Sequence, residues 1–242
     1  MTTGAVATRD QPLIAIDVVP MSFTTSEGLR VATARRAYDP YAGQEALPGV
    51  LLDAAELLAD GARRALRTKA GIDDESVRHL AQVGAFDGPE RDPRSAAISI
   101  AFVAVVTGPD PDADAELAAE GSGAGGHQGV GARTGAAPAA VWRDPAQADQ
   151  GLPFDHDRII QAALDHVRTR LWRDLPLTRA LLGTSFTTAD ASRLQTAVTG
   201  VTPDPGNLNR ALRTNPSLVR SAAATSSGQR GGRPPVSWTW VD

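Results

Sequence analysis

The chain has 242 residues, with 24 basic and 28 acidic side chains, a formal net charge of −4 and a 42% hydrophobic fraction. This length suits one large or two small domains, and the apolar content excludes a wholly disordered protein. The absence of cysteine excludes disulfides and thiolate metal sites and accords with a cytoplasmic protein. No run of about 18 apolar residues is available to span a membrane, and residues 1–12 lack the order of a signal peptide.

Residues 13–19 are apolar and β-rich, and residues 29–35 alternate; both are predicted strands. Pro40, Gly43, Pro48 and Gly49 punctuate a loop. Over 54–70, Leu57, Leu58, Ala62, Ala65 and Leu66 recur at helical spacing, and Gly71 supplies a C-cap. Residues 77–86 and 96–106 read as strands on either side of the turn-rich segment 87–94. The stretch 108–138 is rich in Gly, Ala, Asp and Pro and has no aromatic residue. It is expected to be a disordered surface loop, because it cannot bury enough apolar area to offset its ordering entropy. Its His127 is read as a bystander, and a last short strand is expected around 139–142.

Residues 156–175 predict a helix whose stripe is Ile159, Ile160, Ala163, Leu164, Val167 and Leu171, with Asp155 as N-cap. A short helix is expected over 177–182. Thr187 or Thr188 then caps a helix through about 199, with Ala191, Leu194 and Val198 inward. After a turn at 200–203, Asp204 caps another helix through about 214, with Leu208 and Leu212 inward. Residues 218–221 and 236–241 read as strands flanking 225–235. In the second of these, Val236, Trp238 and Trp240 share one face.

A helix, a tight turn, a second helix and a hairpin with a basic tip form a winged helix-turn-helix pattern. The charge agrees with it. Residues 1–153 carry 13 basic and 21 acidic groups, whereas residues 154–242 carry 11 basic and 7 acidic groups. Between 205 and 241 there are five arginines and no acid, which suits an acidic polymer as partner. With Leu208 and Leu212 turned inward, Asn207, Asn209, Arg210 and Arg213 are left on or near the outer face, and Asn and Arg are the side chains that read adenine and guanine edges. Together with Thr187 and Thr188 on the preceding helix and Arg230 and Arg233 in the hairpin tip, these are the candidate DNA contacts. The plainer alternative is a helical hairpin with a solvated basic surface. A C-terminal part that binds a protein would want an apolar outer face on 204–214, and that face is polar.

The N-terminal part resembles a Nudix domain. The run Ala46-Leu47-Pro48-Gly49-Val50-Leu51-Leu52 is similar to the family's entry into its box, and Glu56, Arg64, Leu66, Gly71 and Ile72 match G-x5-E-x7-R-E-U-x-E-E-x-G-U in register. Val50 replaces the first Gly, while Ala65, Thr68 and Lys69 stand in place of three glutamates. Spacing of i, i+3 and i+4 would put those three on one helix face. In active members that face carries the carboxylates that hold Mg²⁺ for water activation. A methyl, a hydroxyl and an ammonium cannot do this, so the resemblance implies a catalytically dead domain without a metal site. The alternative is an active hydrolase of nucleoside diphosphate derivatives whose metal site has moved to Glu75, Glu90 or Asp92.

Gln82 through Arg94, ending in Pro89-Glu90-Arg91-Asp92-Pro93-Arg94, resembles the Q-x-x-x-F-x-x-P-x-R-D-P-R run of NrtR, the Nudix-related transcriptional regulators. Phe154-Asp155-His156 matches that family's junction, and Asn207-Leu208-Asn209-Arg210 with Gly231-Gly232-Arg233-Pro234 resembles its recognition helix and wing. Gly206, Asn209 and Ala211 depart from it, standing where basic residues are common. The resemblance implies an α/β/α Nudix sandwich over 1–152 followed by a winged helix-turn-helix domain over 153–242. It further implies a homodimer that represses genes of NAD synthesis, salvage or use at a palindromic operator. No cofactor would be required, and ADP-ribose or a relative would act as effector. A diphosphate needs arginine-like donors, so Arg35, Arg36, Arg91 and Arg94, with Glu56 of the box, are the candidate effector contacts.

Overall fold

The computed structural model describes residues 11–88, 91–108, 139–147, 151–222 and 236–241. The expected loop over 108–138, with His127, lies outside them from residue 109 on, as does the hairpin tip with Arg230 and Arg233. Strand β1 (Leu13–Thr24) is the centre of a seven-stranded mixed sheet ordered β3-β2-β1-β6-β5. Here β2 is Gly28–Arg35, β3 Glu45–Ala46, β5 Val77–Phe86 and β6 Ala97–Val106. Parallel pairing of β1 with β6 runs from Leu13 opposite Ala97 to Met21 opposite Val105. β4 (Gly49–Leu51) pairs antiparallel with the start of β1, and β7 (Ala140–Arg143) with β2. The two short strands β3 and β4 lie inside the segment that its prolines and glycines predicted to be loop.

Both faces of this sheet are covered, which is why β1 and β6 read as nearly continuous apolar runs rather than alternating ones. One face, with Ile16, Val18, Phe102 and Ala104, packs on Ala62 of helix α1 (Leu58–Ala65) and on Ala65, Leu66 and Ala70. The predicted helix therefore starts later than expected. It also ends differently: Leu66–Ala70 widens into a π-helical turn before Gly71 closes it at φ 65°. The other face presents Val19, Met21, Val103 and Val105 to α2 (His156–Arg170) and α3 (Leu175–Leu182). The expected single helix over 156–175 thus stops at Arg170, where Leu171 leaves the helical region and Trp172 turns to φ 66°.

Thr187 caps α4 (Thr188–Thr199) in a reciprocal capping box with Asp190. Asp204 caps α5 (Pro205–Thr214) by accepting from the Asn207 amide at 2.8 Å. β9 (Leu218–Ala222) and β10 (Val236–Trp240) form the expected hairpin pair. Sequence reading missed β8 (Ser185–Thr187), which completes a sheet ordered β8-β10-β9. Trp238 and Trp240 are buried on one face of β10, and each indole N–H finds an acceptor, Thr188 Oγ1 at 2.9 Å and the Gly183 carbonyl at 3.0 Å. One hydrophobic cluster runs unbroken from Val19 and Val31 of the large sheet through Ile160 and Val167 of α2 to Leu194, Leu212 and Trp238. The 152/153 division made on sequence lies between two parts that share this core.

Candidate functional site

The box region is held by a single arginine. Arg64 in the last turn of α1 reaches back with Nε and Nη2 to both carboxylate oxygens of Glu56, at 2.7 Å each, and to the Leu51 carbonyl at 2.8 Å. Asp53 adds an ion pair at 3.3 Å. Hydrogen bonds from Arg64 and from the Asp53 amide pull the Glu56 carboxyl down to about 2, and the same pair raises the Arg64 pKa. Glu56 therefore already has its cation. Ala65, Thr68 and Lys69 do not share a face as their spacing suggested. Ala65 is fully buried against the sheet, while Thr68 and Lys69 are exposed on the π-helical turn, where Thr68 Oγ1 donates to the Arg64 carbonyl at 2.7 Å. Among the described residues, no group of three His, Cys, Asp or Glu side chains can hold a metal ion. Glu75 and Asp92 are not brought together, and Glu90 lies outside the described residues.

A second cluster lies on the opposite face of β1, where the 91–94 loop meets the entry to α2. Asp17 is buried in the middle of β1. Arg91 Nη2 and Ser99 Oγ each donate to its Oδ2 at 2.6 Å, and His156 Nε2 stands 3.5 Å from Oδ1. His156 Nδ1 accepts from the Leu47 amide at 2.9 Å, which fixes the ring as the Nε2–H tautomer facing Asp17. Burial alone would raise the Asp17 pKa; His156, Arg91 and Ser99 outweigh it and hold the carboxyl well below the usual carboxylate range. Arg91 Nε also stands 3.0 Å from Asp155 Oδ1, an ion pair rather than an aligned hydrogen bond. Burial raises the Asp155 carboxyl, against the opposing pull of Arg91.

Asp155 takes the expected N-cap position, and its carbonyl accepts from the Arg158 and Ile159 amides, but it does not cap as expected. It sits in the left-handed region at φ 58° and ψ 24°, and its side chain makes no capping bond. Phe154 before it is also left-handed, at φ 61°. Non-glycine residues adopt this region at roughly 1–2 kcal/mol each. Here the surroundings hold both: Asp155 through Arg91, and Phe154 through an edge-on contact with Tyr41 at 4.9 Å and a tilted one with His156.

The sequence candidates divide accordingly. Arg91, taken on sequence for an effector contact, is buried with its guanidinium between Asp17 and Asp155. Arg36 and Arg94 come together over the Phe154 ring, at 4.6 and 6.0 Å from its centroid. Arg94 is bidentate with Asp92. Arg35 stands apart, donating to the Gly43 carbonyl at 2.7 Å and lining a polar cleft with Glu45 and Arg143, which pair with each other. Sequence reading missed Asp17, Ser99 and His156. The usable signal was a lone carboxylate inside an apolar strand, since a buried charge demands a partner.

On α5, Leu208 and Leu212 are buried, and Asn207, Arg210 and Arg213 are exposed. Asn209 is half-buried, with its amide turned back to the Pro205 carbonyl at 2.9 Å. The hydroxyls of Thr187 and Thr188 are engaged by the Asp190 amide and the Trp238 indole. Arg220 on β9 is exposed beside this region, a cation that the sequence reading had left out of the site.

The fold has solved counterparts. The chain is similar in structure to Shewanella oneidensis NrtR, crystallised with a 27mer DNA: TM-score 0.68, 19% identity, covering 94% of this chain and 93% of that one. The chain has the fold of NrtR. A MutT/nudix family protein from Enterococcus faecalis shares it at TM-score 0.63 and 19% identity, over 97% of this chain and 90% of that one. In sequence, 97 residues are 28% identical to an ADP-ribose pyrophosphatase of Methanocaldococcus jannaschii. That match takes in 40% of this chain and 53%, about half, of the relative. No family model matches the chain.

Proposed function

We propose that this chain is a DNA-binding transcriptional regulator in which a Nudix fold without hydrolase activity senses a nucleotide. The observation that carries the reading is α5. It is anchored by Leu208 and Leu212 and presents Asn207, Arg210 and Arg213 outward from a helix-turn-helix completed by a three-stranded sheet. A helix so placed fits the major groove, where Arg and Asn side chains meet base edges. Arg230 and Arg233 are proposed as phosphate or minor-groove contacts. Thr187 and Thr188 serve the reading by fixing the first helix, not by touching bases.

The sensing half rests on the box region. Arg64 neutralises Glu56, and the positions that carry metal-binding acids in active Nudix enzymes are Ala65, Thr68 and Lys69. The protein is proposed to bind ADP-ribose or a related diphosphate without turning it over, and to act as a homodimeric repressor of genes of NAD synthesis, salvage or use at a palindromic operator. An effector releases DNA only if it binds the DNA-incompetent state more tightly, because equal affinity shifts nothing. The name of the archaeal relative favours a second reading, hydrolysis of ADP-ribose.

One experiment separates the two. DNA from upstream of the chain's own gene and of NAD-synthesis genes is titrated by fluorescence anisotropy, with and without ADP-ribose. The same samples, with Mg²⁺ or Mn²⁺, are assayed for AMP and ribose 5-phosphate. The regulator reading expects saturable DNA binding weakened by ADP-ribose, and no product. Product release at about 1 s⁻¹ or faster, an ordinary enzyme rate, would establish the hydrolase.

A further inference from the structure

We infer that Arg220 on β9 is a phosphate-binding residue that holds the DNA backbone beside α5, a positioning contact rather than a reader of bases. The inference deepens the regulator reading and rests on it.

The sheet register places the residue. Phe186 of β8 stands opposite Trp238 of β10, and Trp238 opposite Arg220 of β9. Residues paired across antiparallel strands share a face, so these three form one row across the sheet. Phe186 and Trp238 are buried, whereas Arg220 is exposed. The next pair on this face, Trp240 and Leu218, is buried as well. Leu218, Trp238 and Trp240 belong to one hydrophobic cluster with Leu208 and Leu212 of α5, so this is the face that carries the helices. β9 is the last strand of its sheet, after β8 and β10. Arg220 thus starts on the helix side of an edge strand, two residues beyond the buried Leu218, and leads its guanidinium into solvent on the side where α5 lies.

Charge decides what that guanidinium can hold. Arg220 has no carboxylate partner among the described residues, and no acid occurs between 205 and 241. The acids of the helix-turn-helix are already employed: Asp204 caps α5, and Asp190 serves the α4 box and pairs with Arg193 at 3.6 Å. A helix N-terminus is ordinarily a ready phosphate contact, because its free amides and dipole favour an anion. The start of α4 is closed to this use. The Asp190 carboxylate accepts from the Thr187 amide at 2.8 Å, and Thr187 Oγ1 accepts from the Asp190 amide at 3.2 Å. An acidic side chain occupies that end, so the backbone contact falls to a cation carried by the sheet. β9 pairs with β10 from Leu218 to Ala222, which fixes the Arg220 backbone relative to α5. A fixed cation beside the reading helix suits phosphate, since phosphate contacts set where a protein sits on the duplex and base contacts choose the sequence.

The test uses the full chain and two duplexes of equal length, one from upstream of the chain's own gene and one of random sequence, titrated by anisotropy at several salt concentrations. Arg220→Gln is expected to weaken both by a similar factor, about three- to tenfold, and to lower the salt slope by about one. Arg220→Lys keeps the charge and is expected to restore the slope. A residue with a merely structural role would give neither the change of slope nor its rescue by lysine. Single neutral methylphosphonates placed along the upstream duplex locate the contact: one position should weaken wild type and leave Arg220→Gln no weaker than before. Wild-type affinity and slope in Arg220→Gln would overturn the inference and leave the regulator reading standing. A loss confined to the upstream duplex, a loss with unchanged slope, a slope that lysine does not restore, or a phosphate map shared by wild type and Arg220→Gln would overturn it equally. If the wild type binds neither duplex, the regulator reading itself fails, and the contact with it.

Discussion

Asp17 shows how much of this protein is decided by single buried charges. It lies opposite Gly49 in the β1–β4 pair, and a Cβ on Gly49 would fall 2.2 Å from Asp17 Oδ1. Gly49→Ala is therefore expected to displace the carboxylate or the strand and to cost about 1–3 kcal/mol, by the general penalty of overpacking, measured by urea unfolding. Asp17→Ala leaves Arg91 with Asp155 alone; breaking a buried pair this way costs roughly 3–5 kcal/mol. The histidines give a pH dependence of known sign. His79 on β5 and His166 on α2 each keep a buried Nε2 that finds no hydrogen-bond partner among the described residues. Burial lowers both pKa values below 6.5; Asp174 opposes this for both, while Arg170 and His79 reinforce it for His166. Below about pH 6.5 the unfolded chain takes up more protons than the folded one, so stability falls as the solution is acidified. Urea midpoints at pH 7.5 and 5.5 should show this loss, and it should shrink in His79→Gln. Of this interior, the sequence exposed the Arg91-Asp92-Pro93-Arg94 run and the Phe154-Asp155-His156 junction, but not that Asp17 and Ser99 join them. Asp17, Ser99 and His156 are 17, 99 and 156 residues along, and no local periodicity connects them.

At the scale of elements, strands and helices with one apolar face were legible because their periods are written into the chain. Val77–Phe86, the α5 stripe of Leu208 and Leu212, and the caps at Thr187 and Asp204 all form as their local chemistry dictates. What local pattern could not supply was set by tertiary packing. The π-helical turn at Leu66–Ala70 keeps Leu66 and Ala70 buried against the sheet while carrying Arg67, Thr68 and Lys69 into solvent. β8 has three residues and exists because β10 pairs with it. Asp155 holds the cap position that its place before a helix predicted, but Arg91 claims its carboxylate and no side-chain capping bond forms. Capping predictions remain testable where the geometry is present. Thr187→Ala removes the bond to the Asp190 amide and should cost about 1 kcal/mol. It should lower the thermal midpoint without abolishing DNA binding, since the proposed readers are on α5.

Across the whole molecule, the decisive feature is the shared core. Val19 and Val31 of the large sheet, Val167 of α2 and Leu194 and Trp238 near the proposed DNA face belong to one hydrophobic cluster. A molecule built this way should unfold as a unit. Far-UV circular dichroism and tryptophan fluorescence should give coincident urea transitions, with separate transitions showing that the C-terminal part unfolds on its own. The central claim, that α5 reads DNA, has its most direct measurement in Arg210. Wild type, Arg210→Ala and Arg233→Ala are titrated by anisotropy against operator and random DNA at several salt concentrations. Arg210→Ala should lose about 1–3 kcal/mol on the operator and much less on random DNA. Arg233→Ala should weaken both more evenly and lower the salt slope by about one. Operator binding by Arg210→Ala equal to wild type would contradict the placement of the reading helix.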